Sequence, residues 1–295
     1  MKAWTIGELL KVSAEYLKEK AIDSPRLGAE ILLAHQLHLS RVQLYLQYDQ
    51  PLTEEEVEGY RRLIRRRLNR EPVQYITGTQ EFWSMEFVVN PSVLIPRPET
   101  EVLVEQAVSL RNEKPSLQEE GVNLLDLGTG CGALAVALAC EFEKALIYAS
   151  DLSEEALRVA GENAERHRVM DRIRFRSGDL FTPFAGEAIR FNLILSNPPY
   201  IPADAFETLS PEVRDHEPRS ALDGRDQGMH YIARILREAA GYLVPGGWIL
   251  MEMDPEQTLQ AMGILEATGE FAEHRRIQDY SHRYRAVMAR KKLAD

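Results

Sequence analysis
Short strand-like segments alternate with longer helical ones along the carboxyl-terminal two thirds of the chain. The segments at 122–127, 145–150, 173–177, 191–195 and 248–253 read as strands, the mostly apolar one at 191–195 as a buried strand. The stretches at 133–141, 153–167, 229–243 and 255–268 read as helices. This alternation predicts an α/β architecture, a parallel sheet covered by helices on both faces. Segments 271–280 and 284–289 predict a closing pair of strands.

The amino-terminal part has a different pattern. Residues 4–70 are rich in helix formers and show almost no strand alternation, which predicts helices over 4–20, 25–37, 41–47 and 53–69. Ser24-Pro25 supplies an N-cap followed by proline in the first turn. Thr53-Glu54-Glu55-Glu56 has the form of a capping box. In the last of these helices Val57, Tyr60, Ile64 and Leu68 recur at helical spacing and predict a core face. The opposite side carries Arg61, Arg62, Arg65, Arg66, Arg67 and Arg70, either a solvated face or a docking surface for an acidic or RNA-associated partner.

Between the two patterns, residues 80–90 are aromatic and β-branched with a turn near Ser84, which predicts a β-hairpin bridging two domains. The stretch Leu94-Ile95-Pro96-Arg97-Pro98-Glu99-Thr100-Glu101 is a stiff linker into a helix ending near Leu110, and 112–121 is polar and reads as a surface loop. The chain is therefore expected to hold an all-helical recognition domain at 1–75, a hairpin and linker at 76–100, and an α/β domain at 101–295.

Length and composition agree with two domains, since 295 residues exceed most single cores and 44% of them are apolar. The formal charge of −11 argues against tight nonspecific binding of nucleic acid by the whole molecule. The charge is uneven: residues 1–75 carry 12 Lys and Arg against 11 Asp and Glu, so the remainder holds −12. The longest apolar run, from Ala133 to Cys140, is far shorter than the ~20 residues that span a bilayer, and the amino terminus lacks a secretory apolar region. The two cysteines, Cys131 and Cys140, fall on one predicted helix roughly 13 Å apart, too far for a disulfide. A reducing cytoplasm is the expected compartment. The histidines are scattered, and no metal-ligand spacing occurs.

Candidate chemistry sits at strand ends. Asp126-Leu127-Gly128-Thr129-Gly130-Cys131-Gly132 joins the first strand of the α/β part to its first helix, and its alternating glycines let backbone approach a ligand closely. Asp151 ends the next strand, 19 residues beyond Gly132, where a carboxylate can take both hydroxyls of an adenosine ribose or cap the following helix. Gly178-Asp179-Leu180 ends the third strand, where Asp179 can accept from an adenine amino group and Leu180 can pack on the ring. Asn197-Pro198-Pro199-Tyr200 follows the fourth strand. Its prolines stiffen the turn and expose carbonyls, Asn197 adds a side-chain acceptor, and Tyr200 adds a flat face. Together they form a clamp for a planar group bearing an NH₂. NAD is the competing ligand, but the glycines run G-x-G-x-G, and the Asn-Pro-Pro-Tyr turn has no evident role in hydride transfer.

The glycine loop and the Asn-Pro-Pro-Tyr turn together resemble class I S-adenosylmethionine-dependent methyltransferases acting on amino or amide nitrogen. Pro72-Val73-Gln74-Tyr75-Ile76-Thr77-Gly78, Glu81-Phe82-Trp83 and the linker from Leu94 to Glu101 narrow the resemblance to the HemK/PrmC family, protein-(glutamine-N5) methyltransferases of peptide chain release factors. The resemblance implies a class I, Rossmann-like sheet of seven strands with the last antiparallel. It implies S-adenosyl-L-methionine as cofactor and the glutamine of the Gly-Gly-Gln motif of class 1 release factors as substrate, with no membrane and no direct nucleic-acid substrate. Carried over by position, Gly128, Thr129, Gly130, Cys131 and Gly132 line the cofactor, Asp151 binds its ribose, and Asn197, Pro198, Pro199 and Tyr200 hold the glutamine. Family members often have Trp where this chain has Leu180, and a glycine-rich turn where it has Met253-Asp254-Pro255.

In this scheme Asn197 Oδ1 and the Pro198 carbonyl accept the two amide N–H bonds and Tyr200 stacks on the amide plane, with no general base and no metal required. Other readings share these residues: a glutamine methyltransferase of a ribosomal protein, an adenine-N6 methyltransferase acting on a flipped base, or an adapter that binds without turnover.

Overall fold
The computed structural model describes residues 4–294. The chain forms two compact units, one running up to Thr79 and including Ser210–His216, the other comprising Gln80–Leu209 and the residues from Glu217 onward.

The first unit is helical: α1 (Ile6–Glu19), α2 (Pro25–Leu37), α3 (Arg41–Leu46), α4 (Glu54–Leu68) and α5 (Val73–Thr77), with α9 (Pro211–His216) arriving from far along the chain. Capping boxes start α1 at Thr5, α3 at Ser40 and α4 at Thr53. Val57, Tyr60 and Ile64 of α4 are buried in a cluster with Leu9, Leu17, Leu32 and Leu33. The arginine face of α4 is not uniform. Arg61 and Arg62 are exposed, but Arg67 is 5% exposed and pairs with Glu212 of α9 at 2.9 Å, and Arg70 reaches the same carboxylate at 3.4 Å. A buried guanidinium such as that of Arg67 needs such a partner, so these two arginines serve packing within the unit.

The second unit begins with a hairpin of β1 (Thr79–Phe82) and β2 (Met85–Val88), turned by Trp83 and Ser84, both at positive φ. Trp83 is anchored twice: its backbone N–H donates to Glu101 at 2.8 Å and its indole N–H to Glu141 at 2.9 Å. After α6 (Glu101–Glu113) come β3 (Asn123–Leu127), α7 (Ala133–Glu141), β4 (Leu146–Asp151), α8 (Glu154–Arg166), β5 (Ile173–Ser177) and β6 (Phe191–Ser196). Then follow α10 (His230–Tyr242), β7 (Leu243–Glu252), α11 (Gln257–Thr268), β8 (Phe271–Gln278) and β9 (Tyr284–Lys291). The stretch at 112–121 is not all surface loop, because a 3₁₀ turn at Pro115–Gln118 buries Leu117.

The sheet has seven strands in the order β5-β4-β3-β6-β7-β9-β8. Pairings from β5 through β7 are parallel, and β9 runs antiparallel to both neighbours. The order reverses between β3 and β6, so the loops after these adjacent strands diverge and leave a crevice at their carboxyl ends. Helix α7 follows with every residue from Ala133 to Ala139 buried, which explains its uniformly apolar sequence. Gly132 makes the close approach of α7 and α8 possible, since a Cβ there would lie 3.0 Å from Ala160 Cβ.

Candidate active site
A cavity of about 350 Å³ opens at this crevice, lined by the glycine loop, Asp151, Gly178 to Leu180, Asn197 and Pro199, together with Pro96, Arg97 and Thr100. The sites proposed at four separate strand ends thus meet in one place, within the size range of small-molecule sites.

The glycine loop is shaped by backbone. Gly128, Gly130 and Gly132 all have positive φ, which only glycine adopts without strain. Gly128 and Thr129 both donate to the Ser150 carbonyl, at 2.8 and 2.9 Å. The Thr129 hydroxyl turns inward to Asp126 Oδ2 at 2.6 Å, an oxygen that also accepts from Ala135 N at 3.0 Å. Asp126 is therefore the internal post of the loop, fully buried in β3. Burial pushes its carboxyl up to about 7 despite these hydrogen bonds, and the nearby Asp151 charge adds to the rise. Cys131 is also buried, which pushes its thiol up to about 12 and leaves it a packing residue.

Asp151 Oδ2 accepts from Gly130 N at 2.9 Å and Oδ1 from Ser153 N at 2.9 Å. The N-cap of α8 is Ser153, whose hydroxyl accepts from Ala156 N. Asp151 is thus not the cap itself; it ties the glycine loop to the start of α8. Burial raises its pKa above the usual carboxylate range, and the N–H donors of Ser153, Gly130 and Leu152 oppose the rise.

Asp179 has a partner the sequence pattern did not suggest. Arg234 of α10 reaches both its oxygens, at 2.7 and 3.3 Å, so this cavity-lining carboxylate shares its acceptor capacity with a cation. Leu180 lines the cavity at a φ of 48°.

At the tetrapeptide, Asn197 Nδ2 donates to Thr100 Oγ1 at 3.0 Å. That bond turns Oδ1 the other way, as an acceptor. The Tyr200 hydroxyl donates to Glu252 Oε1 at 3.2 Å, and its ring packs against the core. The Tyr200 carbonyl accepts from Gln257 Nε2 at 2.8 Å. Pro198 and Tyr200 are not among the residues that line the cavity, and the Tyr200 hydroxyl is engaged by Glu252.

Several residues with work at this site carried little signal in the chain pattern. Glu252 ends a strand of apolar residues, as Asp151 does, and that placement is a readable cue. Thr100 lies inside the linker motif. Asn163, fully buried, accepts from Val88 N at 2.7 Å and donates to Val88 O and the Cys131 carbonyl, joining hairpin and glycine loop. Neither Asn163 nor Arg234 stands out from an ordinary helix face. Glycines at 224 and 228 admit the Tyr200 backbone, since a Cβ at either would come within 2.6 Å of it.

Residues 8–78 match the family model of the PrmC N-terminal domain, and residues 107–209 that of the methyltransferase small domain. A release factor glutamine methyltransferase of Geobacter sulfurreducens is 44% identical over 90% of each chain. The chain belongs to this family. A protein of the same name from Chlorobaculum tepidum is 40% identical over 95% of each chain. Among solved structures, the N-terminal domain of human METTL16 in complex with SAH superposes with a TM-score of 0.50 at 14% identity, covering 71% of this chain and 76% of that one. That likeness bears on the fold alone, a Rossmann-like methyltransferase sheet. Among the described residues no helix is long and apolar enough to cross a membrane.

Proposed function
We propose that the protein transfers a methyl group from S-adenosyl-L-methionine to the side-chain amide nitrogen of the glutamine in the Gly-Gly-Gln motif of class 1 release factors. The observation that carries the reading is the orientation of Asn197, whose Nδ2 is committed to Thr100 and whose Oδ1 is thereby left to accept, in a cavity shared with the glycine loop and Asp151. Membership in the release factor glutamine methyltransferase family supports the substrate.

The residues present fit the cofactor. Gly128 and Gly130 line the cavity, and a Cβ added to either would project into open space, so the loop is bare where a ligand would lie against it. Asp151 offers a carboxylate to ribose hydroxyls, and Leu180 an apolar edge to the adenine. When bound, S-adenosyl-L-methionine supplies an electrophilic methyl on a sulfonium.

An amide nitrogen is a poor nucleophile because its lone pair is delocalised into the carbonyl. Acceptance of its two N–H bonds by Asn197 Oδ1 and the Pro198 carbonyl fixes the rotation of the amide and strengthens as positive charge develops on nitrogen. Such contacts favour the transition state over the ground state, and the stiff Pro198-Pro199 turn provides them preorganised. The amino-terminal unit serves substrate recognition in this reading, with exposed arginines such as Arg62 facing the partner.

Single-turnover methyl transfer to a release factor tests the clamp. Asn197→Ala removes one preorganised contact and is expected to cost about 2.7–4 kcal/mol, ~10²–10³ in rate, with cofactor affinity little changed. A folded Asn197→Ala protein that turned over at the wild-type rate would contradict it.

A further inference from the structure
Asn163 lies fully buried in α8, and every part of its amide is engaged. Oδ1 accepts from Val88 N at 2.7 Å, and the two Nδ2 hydrogens go to Val88 O at 3.0 Å and to the Cys131 carbonyl at 2.9 Å. An asparagine amide carries two donors and one carbonyl, so three backbone groups fix its orientation. Toward Val88, the last residue of β2, it bonds as a hydrogen-bonded strand partner would. Toward Cys131 it holds the glycine loop at the residue just before Gly132. The fold brings the two together at Gly132, whose missing Cβ lets Ala160 of α8 come close. Asn163 follows Ala160 on the same helix face, one turn later.

Both segments held by Asn163 continue into the cavity. Cys131 lines it with the rest of the loop, and the chain that leaves Val88 contributes Ser92, Val93, Leu94, Pro96 and Arg97. That chain is fastened at Val88 by Asn163 and again at Ile95, whose N–H donates to Glu217 Oε2 at 3.2 Å. Between these points Asn90 turns it, its Oδ1 accepting from Ser92 N at 2.9 Å. Asn163 is not among the residues that line the cavity.

We propose that Asn163 is a positioning residue for the cofactor: it ties the glycine loop to the strand that leads into the linker wall, and cofactor affinity depends on that tie. The inference rests on the cofactor part of the proposed function and not on the identity of the substrate. A loop with three glycines at positive φ has little stiffness of its own. With the Cys131 carbonyl held, the loop is already arranged for a ligand. With it released, binding must first order the loop, at a cost in affinity. The coupling is reciprocal, so the factor by which an open tie weakens binding is the factor by which bound cofactor suppresses opening.

The test uses the full chain. Asn163→Asp keeps an acceptor for Val88 N and gives up both N–H donors, so the Cys131 carbonyl loses its hold. Its Kd for S-adenosyl-L-methionine, read by titration calorimetry, rises about tenfold, the scale of one net hydrogen bond. His167→Ala is the control. His167 donates from Nε2 to the Glu86 carbonyl at 2.9 Å, so its loss loosens the same hairpin without touching the glycine loop; Tm falls and Kd stays at the wild-type value. Hydrogen exchange on the wild type reads the reciprocal effect and decides the matter even if the variants do not fold. The Val88 amide exchanges about tenfold more slowly at saturating cofactor. A folded Asn163→Asp protein with wild-type Kd, an equal loss of affinity in His167→Ala, or a Val88 amide indifferent to cofactor overturns the inference. If these expectations are met but no methyl reaches a release factor, the proposed substrate is refuted and the positioning role stands.

Discussion

Replacing Asp151 by alanine separates the two tasks its carboxylate combines. Oδ2 holds Gly130 N and Oδ1 holds Ser153 N, both at 2.9 Å. The first bond shapes the loop that lines the cavity; the second shapes the start of α8. A hydrogen bond to a charged group contributes about 1.5–3 kcal/mol. Losing the loop contact, together with the ribose contact of the proposed reading, should weaken S-adenosyl-L-methionine binding by that amount, roughly 10- to 150-fold in Kd. Asp151→Asn is expected to recover only part of this. Its amide keeps one acceptor and turns a second donor toward either Gly130 N or Ser153 N. Titration calorimetry of wild type and both variants reads the affinity, with thermal melts read in parallel. A lowered Tm with an unchanged Kd would reduce Asp151 to support of the helix start and refute its place in the cofactor site.

Arg67→Ala should destabilise the first unit by about 1–3 kcal/mol, because it leaves the partly buried Glu212 with only Arg70 as a cation partner; chemical denaturation monitored on the whole chain reads this. Arg62→Glu, on the exposed side of the same helix, should leave Tm unchanged and raise KM for release factor with little change in kcat. Asp126 has a folded-state pKa raised from 3.8 to about 7. Its neutral form is therefore favoured on folding, and its contribution to stability is full below 3.8 and lost as pH rises through about 7. Denaturation of Asp126→Asn between these limits should lose this component of the pH dependence, and a slope identical to wild type would contradict the assignment.

The α/β part was legible because its signals are local. Strands such as Phe191–Ser196 are short and mostly apolar, and helix α7 is marked by a glycine before it and an apolar body from Ala133 to Cys140. The glycine loop, Asp151 and the tetrapeptide could be placed at strand ends from spacing alone, and topology then brought them to one crevice. What the pattern did not carry is pairing between distant positions. The stretch at 201–228 has no periodicity, yet Ser210–His216 packs with the first unit and Gly224 and Gly228 admit the Tyr200 backbone. The ion pair of Asp179 with Arg234 joins positions 55 residues apart, and nothing in either neighbourhood announces the other. In the sequence Thr100 belongs to a stiff linker, and only its bond to Asn197 gives it a task. In the sequence the arginine run on α4 forms a single face, solvated or docking, whereas burial divides it between exposed Arg62 and buried Arg67.

Mass spectrometry of a class 1 release factor incubated with the protein and S-adenosyl-L-methionine tests the central claim most directly, with a ribosomal protein mixture and adenine-containing DNA and RNA supplied in parallel. The account predicts one methyl group on the peptide that contains Gly-Gly-Gln, located by fragmentation on the glutamine side chain, and its loss with Asn197→Ala. Methylation of the nucleic acid or of a ribosomal protein, with the release factor peptide unmodified, would contradict it.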